Sequence, residues 1–303
     1  MVTRRRLTGL TAAAAFVFGA LLFIWLRPTE PSYAGHSLSY WVRRTYHPDS
    51  NISAQAEEAI RSIGTNALPT LIGWLSERDP PWKLAYNNRV IGMFGWDWYR
   101  AEPFLLGRRT WNATYALRII GPSAKSAIPA LIENMTNFPL SASSPSSYAI
   151  ALEQIGPETL APLTKALTHS DQNVRKHAID ALAMNWKGVA PVVPELIGLI
   201  PSYDPELKLE LISLIGRAGD ERAVAPLIAL LEDNTHEVRE QAAYSLSYME
   251  SAAKAALPKL VSMLGTSDTN LQAAARFAIT MIDTNLVIVG NQVQQRTAPD
   301  APR

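Results

Sequence analysis

The feature of this sequence that most limits its fold is a proline that returns at a fixed interval. Pro162, Pro194, Pro226 and Pro258 follow one another every 32 residues, with Pro129 and Pro69 as earlier members of the series. Each proline opens an apolar run, and proline is tolerated there because the first turn of a helix has no acceptor for its N–H. Repeat periods of about 20–50 residues are typical of stacked helical or propeller architectures. The interval therefore predicts a stack of repeated helical units.

A second pattern lies between the prolines and describes one face of another helix. Its apolar markers are Val174, Leu207, Val238 and Leu271, at spacings of 33, 31 and 33 residues. Apolar residues or alanines follow each marker at four and eight positions, which places all three on one helical face. Each unit is therefore predicted to be a marker helix (A), a turn and a proline helix (B). The predicted N-caps of the A helices are Asp171, Asp204, Thr235 and Asp268, and Arg175 is expected to pair with Asp171.

The turn between the two helices often contains an Ile-Gly pair, at residues 63–64, 120–121, 155–156 and 215–216. Glycine just past a helix end adopts the left-handed cap at little cost. We predict six helix pairs that begin near residue 52 and a closing A helix over about 268–282. A single pair cannot bury its apolar face, whereas stacked neighbours can. The fold class is thus all-α, an α-solenoid over residues 51–283.

The stretch from Ala218 to Ala242 resembles a HEAT repeat, and more narrowly the short HEAT variety of phycobilisome lyase-like repeat proteins. The same pattern can be followed from Ala56 to Ile282. The resemblance implies a right-handed superhelix with the B helices on its concave side. It does not imply one activity, since HEAT proteins include scaffolds, adaptors, chromophore lyases and DNA glycosylases.

Residues 7–26 form an uncharged apolar segment. At about 1.5 Å per residue they span about 30 Å, the thickness of a bilayer's hydrocarbon core. Three arginines precede the segment and one follows it, which predicts a signal anchor with residues 1–6 in the cytoplasm and the repeats in the periplasm or outside the cell. A signal peptide cleaved before Gly35, or a twin-arginine export signal, are the alternatives. All three place the repeats outside the cytoplasm.

The segments that flank the repeats have other compositions. Residues 27–50 contain prolines and glycine among polar residues and are predicted to be a linker, with a short helix near 37–42 that docks on the first repeat. Residues 284–303 are predicted to be a disordered tail, whose four apolar residues from Leu286 to Val289 could cover the last helix.

Composition excludes several kinds of site. The chain has no cysteine, which rules out disulfides, thiolate metal sites and a cysteine nucleophile. Without the four arginines that flank residues 7–26, 24 basic and 27 acidic residues remain, a charge unsuited to nucleic-acid binding. No histidine has metal-ligand spacing, and no nucleophile elbow, phosphate-binding loop or dinucleotide fingerprint is present. We expect no catalytic residue, no metal and no cofactor.

Residues 78–110 interrupt the repeat interval between the first and second pairs. They are rich in aromatic and arginine residues, which bind partners well because they stack and lose little entropy. The candidate partner-binding residues here are Trp82, Trp96, Trp98, Tyr99, Arg100, Arg108 and Arg109. The alternative is that this insertion caps the open end of the solenoid and buries its rings.

Charged residues on the B helices are the other candidates. The predicted contact strip contains Glu195, Glu232 and Lys259, together with Glu133 and Lys165. The leading hypothesis is a non-enzymatic protein–protein interaction scaffold at a membrane surface. The alternative is a ligand-handling or lyase-like HEAT enzyme that uses the insertion and the concave face as a pocket.

Overall fold

The computed structural model of the protein describes residues 30–76, 108–137 and 147–296. The chain divides into two compact units, Met1–Thr70 and Leu71–Arg303, hereafter unit 1 and unit 2. The predicted anchor at 7–26 and most of the insertion at 78–110 lie outside the described residues. Among the residues that are described, no helix is both long enough and apolar enough to cross a membrane.

The described part of unit 1 contains a small hairpin and two helices. Strands β1 (Ser32–Tyr33) and β2 (His36–Ser37) pair antiparallel and precede helices α1 (Leu38–Arg44) and α2 (Ser50–Ile63). The Ser37 and Asp49 side chains cap the two helices by accepting from backbone N–H groups. α1 packs against α2, with its core residues fully buried. The short helix predicted in this segment is therefore present.

The other helices follow the predicted alternation. Helix α3 (Leu68–Ser76) spans the boundary between the units, and the helices of unit 2 are α4 (Arg108–Ile120), α5 (Ile128–Asn134), α6 (Ser147–Ile155), α7 (Leu160–Ala166), α8 (Gln172–Met184), α9 (Val193–Leu199), α10 (Pro205–Ala218), α11 (Val224–Leu230), α12 (His236–Tyr248), α13 (Leu257–Met263) and α14 (Thr269–Ile282). Within the described ranges, the order of the helices from α2 to α14 follows the predicted alternation of A and B helices, with α14 as the closing A helix.

Unit 2 is a helical, solenoid-like stack. Its A helices α4, α6, α8, α10, α12 and α14 pack side by side in chain order, and each B helix from α5 onward packs against the A helix of the next pair. The four predicted A-helix markers are all buried, and so are their partners at four and eight positions. The apolar faces read from the sequence are thus the faces that join the repeats.

The predicted N-caps are confirmed at three of four positions. The carboxylates of Asp171, Asp204 and Asp268 accept hydrogen bonds from backbone N–H groups in the first turns of α8, α10 and α14. Thr235 makes no such bond, and the side chain of Asp233 accepts from the Thr235 N–H instead. The expected pairing of Arg175 with Asp171 is wrong in its partner, because the guanidinium donates to the carbonyls of residues 169 and 170.

The turn glycines are confirmed except at one pair. Gly64, Gly121 and Gly156 have positive φ values at helix ends, as predicted. Gly216 does not, because it lies inside α10, and Gly219 provides the left-handed cap with φ +69°. Gly216 is buried against α12, so its role is close helix packing and not a turn.

The predicted disordered tail at 284–303 is wrong over its first part. Strands β3 (Leu286–Val289) and β4 (Gln292–Gln295) form an antiparallel hairpin, and β3 contacts α14. Arg276 on α14 donates to the Gly290 carbonyl and, at 2.9 Å, to Asn291 Oδ1, which fixes the turn of the hairpin. The apolar stretch pairs with a second strand and covers the last helix, while residues 297–303 lie outside the described part.

Neighbouring A helices also share a half-buried ion network. Lys176 Nζ on α8 lies 2.6 Å from Glu210 Oε1 on α10 and 3.2 Å from Asp180 Oδ1. His177 is buried beside it, with its Nδ1 3.5 Å from Asp180 Oδ2. Burial raises the pKa of Glu210, although the hydrogen bond from Lys176 opposes the rise. The network joins two repeats on the A-helix side of the stack.

Candidate functional site

The B helices of unit 2 share a register that defines their solvent-facing surface. Each has one buried leucine near its middle: Leu131, Leu163, Leu196, Leu227 and Leu260. The positions two before and two after this leucine are exposed on all five helices. Small or uncharged residues dominate these exposed positions, which are Pro129, Glu133, Ala161, Lys165, Pro194, Gly198, Ala225, Ala229, Pro258 and Ser262. The helix backbones therefore lie close to the surface that a partner would meet.

Two neighbouring cavities open along this surface. The larger, about 740 Å³, lies between α5 and α7, and the smaller, about 310 Å³, lies between α7 and α9. The larger is lined by Ile128, Pro129, Ile132, Ala161, Pro162, Lys165, Ala166, Thr168, His169 and Ser170. The smaller is lined by Ala161, Thr164, Lys165, Thr168, Val192, Glu195 and Leu199. Ala161, Lys165 and Thr168 line both, so α7 is a low ridge between two depressions that together form the B-helix groove.

A buried tyrosine supports the C-terminal end of that ridge. Tyr203, in the turn that leads into α10, donates its hydroxyl to the Leu167 carbonyl at 2.8 Å. Burial raises the pKa of the Tyr203 hydroxyl to about 12, so it remains a hydrogen-bond donor near neutral pH. Leu167 follows α7 directly and is itself buried. The ridge is thus tied to the next repeat and not only to its own.

Charges of alternating sign follow one another on the B-helix surface. Glu133, Lys165 and Glu195 occupy exposed positions on α5, α7 and α9, and the last two line the smaller cavity. Charges spaced along an otherwise apolar surface orient a partner more than they add affinity. The groove therefore combines apolar contact area with a small number of directional polar groups.

The charged candidates further along the stack are already partnered with each other. Glu232, just after α11, forms an ion pair with Lys259 on α13, and this contact lowers the pKa of the Glu232 carboxyl. Both lie on the predicted B-helix surface, Glu232 exposed and Lys259 half-buried. Exposed ion pairs contribute little to stability, and a partner that used either residue would first have to break the pair.

The structure describes only the end of the aromatic insertion. Trp82, Trp96, Trp98, Tyr99 and Arg100 lie outside the described residues. Arg108 begins α4, and Arg109 follows it with an exposed side chain. Nearby, 59% of the Trp111 side chain is exposed on the same helix. The convergence of these aromatic and basic residues on one site stays a prediction.

Sequence reasoning missed the residues that shape the groove. Ala161, Thr168 and Ile132 are small or apolar, whereas the residues predicted on the B helices are all charged. The signal that could have found them is the leucine register, because it marks every exposed B-helix position regardless of residue type. Among the described residues no group of three or more His, Asp or Glu could hold a metal ion.

Comparison with known proteins identifies the repeats. Residues 193–280 match the family model for HEAT repeats. No curated protein matches the chain. An engineered protein of known structure is 21% identical, with 81% of this chain and 96% of that chain covered and a TM-score of 0.35. The Escherichia coli protein YibA is 18% identical, with coverages of 80% and 91% and a TM-score of 0.38. Residues 193–280 are therefore similar to HEAT repeats, and they lie within the helical, solenoid-like stack of unit 2.

Proposed function

We propose that the protein is a non-enzymatic interaction scaffold that holds a segment of a partner protein in the B-helix groove. The observation that carries the proposal is the pair of adjoining cavities on either side of α7, which share Ala161, Lys165 and Thr168. A groove that continues from one repeat to the next suits an extended or helical segment, and repeat proteins typically bind partners along such surfaces.

The chemistry of the groove favours a partner segment with apolar residues and a few charges. Apolar atoms supply most of the contact area, and Lys165 and Glu195 face the smaller cavity from opposite walls. A segment with an acidic residue near Lys165 and a basic residue near Glu195 would be held in one direction. The small residues at the rim let the partner backbone approach closely.

The scaffold is further proposed to be held at a membrane by residues 7–26, with the repeats in the periplasm or outside the cell. Contacts of unit 1 support retention of this segment. Glu30 accepts from the N–H of Ser39 at 3.0 Å and from its hydroxyl, and Pro31 accepts from the Leu38 N–H at 2.9 Å. Cleavage before Gly35 would remove these partners of α1 together with β1.

Photo-crosslinking at defined positions tests the groove. Benzoylphenylalanine placed at Thr168 in the full chain in cells should crosslink one partner, whereas the same residue placed at Ala273, exposed on α14, should not. Ala161→Trp places a bulky ring at a position that lines both cavities and should abolish the Thr168 crosslink, while Ala273→Trp should leave it intact. Equal crosslinks from both positions, or a crosslink that survives Ala161→Trp, would refute the proposal.

The proposed location has a separate test. The chain has no cysteine, so a single Tyr248→Cys variant gives one exposed thiol on α12. A membrane-impermeant maleimide should label it in intact cells, after the outer membrane is permeabilised where one exists. Labelling only after the inner membrane is lysed would refute the outside location.

A further inference from the structure

Four ring side chains in unit 1 form a contiguous group, here called the aromatic cluster: Tyr33, His36, Tyr40 and Trp41. The His36 and Tyr40 rings stack with centroids 4.0 Å apart. Trp41 meets the other three edge-on, at centroid distances of 6.4 Å, 5.5 Å and 5.1 Å. The indole N–H of Trp41 donates to the Tyr33 carbonyl at 3.0 Å. The hairpin and α1 thus hold the rings in one arrangement.

The aromatic cluster lies outside the core of unit 1. The core face of α1 is made by Leu38 and Val42, which are fully buried. In contrast, 44% of Tyr33 is exposed, His36 is exposed and Trp41 is only half-buried. Hydrophobic burial within unit 1 therefore does not explain this concentration of rings, because the helix already has a separate apolar face.

Basic residues accompany the rings on the same short helix. The Arg44 guanidinium lies 5.0 Å from the centroid of the Tyr40 ring, and Arg43 is exposed. The acidic residues nearest in sequence on the two sides are already occupied, because Glu30 accepts from the hydroxyl and N–H of Ser39 and Asp49 accepts from the Asn51 N–H. Tyrosine and tryptophan favour the headgroup region of a bilayer, and arginine favours anionic lipid. The cluster therefore has the chemistry of a membrane-interface anchor.

The position of the cluster in the chain brings it close to the proposed bilayer. The predicted anchor ends at Leu26, seven residues before Tyr33. Even a fully extended chain covers at most about 3.6 Å per residue, or about 25 Å in total. This step depends on the membrane anchor proposed above.

We propose that the aromatic cluster, with Arg43 and Arg44, docks into the headgroup layer of the membrane that holds the anchor and prefers anionic lipids. The rings enter the interface while both guanidinium groups meet lipid phosphates. Unit 1 is then held against the bilayer, not merely tethered to it, and the orientation of α1 at the surface is fixed.

Fluorescence quenching in lipid nanodiscs tests this docking in the full chain. A Ser32→Cys variant carries an environment-sensitive nitrobenzoxadiazole label on exposed β1, and a Glu58→Cys variant carries it on exposed α2 for comparison. In discs with about 30% phosphatidylglycerol, headgroup spin-labelled lipid should quench the Ser32 label several-fold more than the Glu58 label. The difference should shrink in zwitterionic discs and in an Arg43→Glu, Arg44→Glu double variant that keeps the wild-type circular dichroism.

The possible outcomes separate the docking from the anchor. Equal quenching at the two labels, or quenching that the charge reversal leaves unchanged, overturns the docking proposal even when the chain stays with the discs. A chain that elutes free of the discs overturns the anchor instead. The same labelled chain is then mixed with vesicles of the same lipids, where the preferential quenching of the Ser32 label again decides for or against docking.

Discussion

Close packing between two repeats rests on the absence of one side chain, that of Gly216. A Cβ atom added there would lie 2.5 Å from Ser245 Cβ, 2.6 Å from Ser245 Cα and 2.7 Å from the Ser245 carbonyl oxygen. Two of these three atoms belong to the backbone of α12, so no rotation of a side chain can make room. Gly216→Ala must therefore push α10 and α12 apart.

The expected loss of stability follows from two unfavourable effects and one favourable effect. Overpacking of a tight interface costs about 1–3 kcal/mol, and alanine gains about 1 kcal/mol over glycine inside a helix. Separation of the helices also weakens the buried hydrogen bond from Ser245 Oγ to the Ile212 carbonyl, which measures 3.0 Å and contributes about 1 kcal/mol. We expect Gly216→Ala to lower the free energy of unfolding by about 1–3 kcal/mol.

Gly73→Ala is the matched control. Gly73 is also helical, in α3, but among the described residues no atom beyond its chain neighbours and its own helix backbone lies within 4 Å of an added Cβ. It should raise stability by up to about 1 kcal/mol through helix propensity. Urea unfolding followed by circular dichroism should shift the midpoint down for Gly216→Ala and up for Gly73→Ala. Equal upward shifts would refute the packing argument, and so would rescue by Ser245→Gly, because that change leaves the Cα and carbonyl contacts in place.

Three further predictions concern single side chains. Lys176→Met should destabilise the chain more near pH 7 than near pH 5 in thermal melts, with Lys254→Met as the surface control. Burial already raises the pKa of Glu210, and the loss of Lys176 should raise it further. Because a carboxyl with a raised pKa binds protons more tightly in the folded state, the folded state gains stability as pH falls. Arg276→Ala should speed hydrogen exchange in the β3–β4 hairpin and leave the main melting transition nearly unchanged, because only bonds to the hairpin turn are lost. Ala34→Gly should slow exchange of the Leu38 amide, since it relieves a φ of +48°, which costs an L-residue about 1–2 kcal/mol.

The repeat architecture could be predicted because its signals are periodic and mutually consistent. The proline interval placed the five B helices from α5 onward, Pro69 marked α3 outside the interval, and the apolar markers placed the buried faces of four A helices. Each signal reflects a requirement that is repeated in every unit. The proline marks a first helical turn whose N–H groups have no acceptor, and the apolar marker is a residue that must be buried. Agreement among the units fixed the register, so the missing side-chain cap bond at Thr235 did not affect it.

Features that occur only once could not be predicted in this way. The Ile-Gly pair at 215–216 is identical in sequence to the three Ile-Gly pairs that do end a helix, yet α10 continues past it to its cap at Gly219. The distinction depends on Ser245, 29 residues away in sequence, whose backbone leaves no room for a side chain. The β3–β4 hairpin likewise depends on Arg276 and on the surface of α14, which no local pattern reveals.

In the candidate site, too, some features could be predicted from the sequence and others could not. Charge is the easiest property to read from a sequence, but in this fold Glu232 and Lys259 neutralise each other across two helices. The surface that remains available to a partner is lined by small or uncharged residues such as Ala161 and Thr168. Their short side chains leave room for the two cavities on either side of α7. Recognition on such a surface depends first on shape and apolar area, with Lys165 available to set direction. A partner should therefore lose more affinity to Ala161→Trp than to Lys165→Ala, and the reverse order in a binding titration would mean that charge dominates.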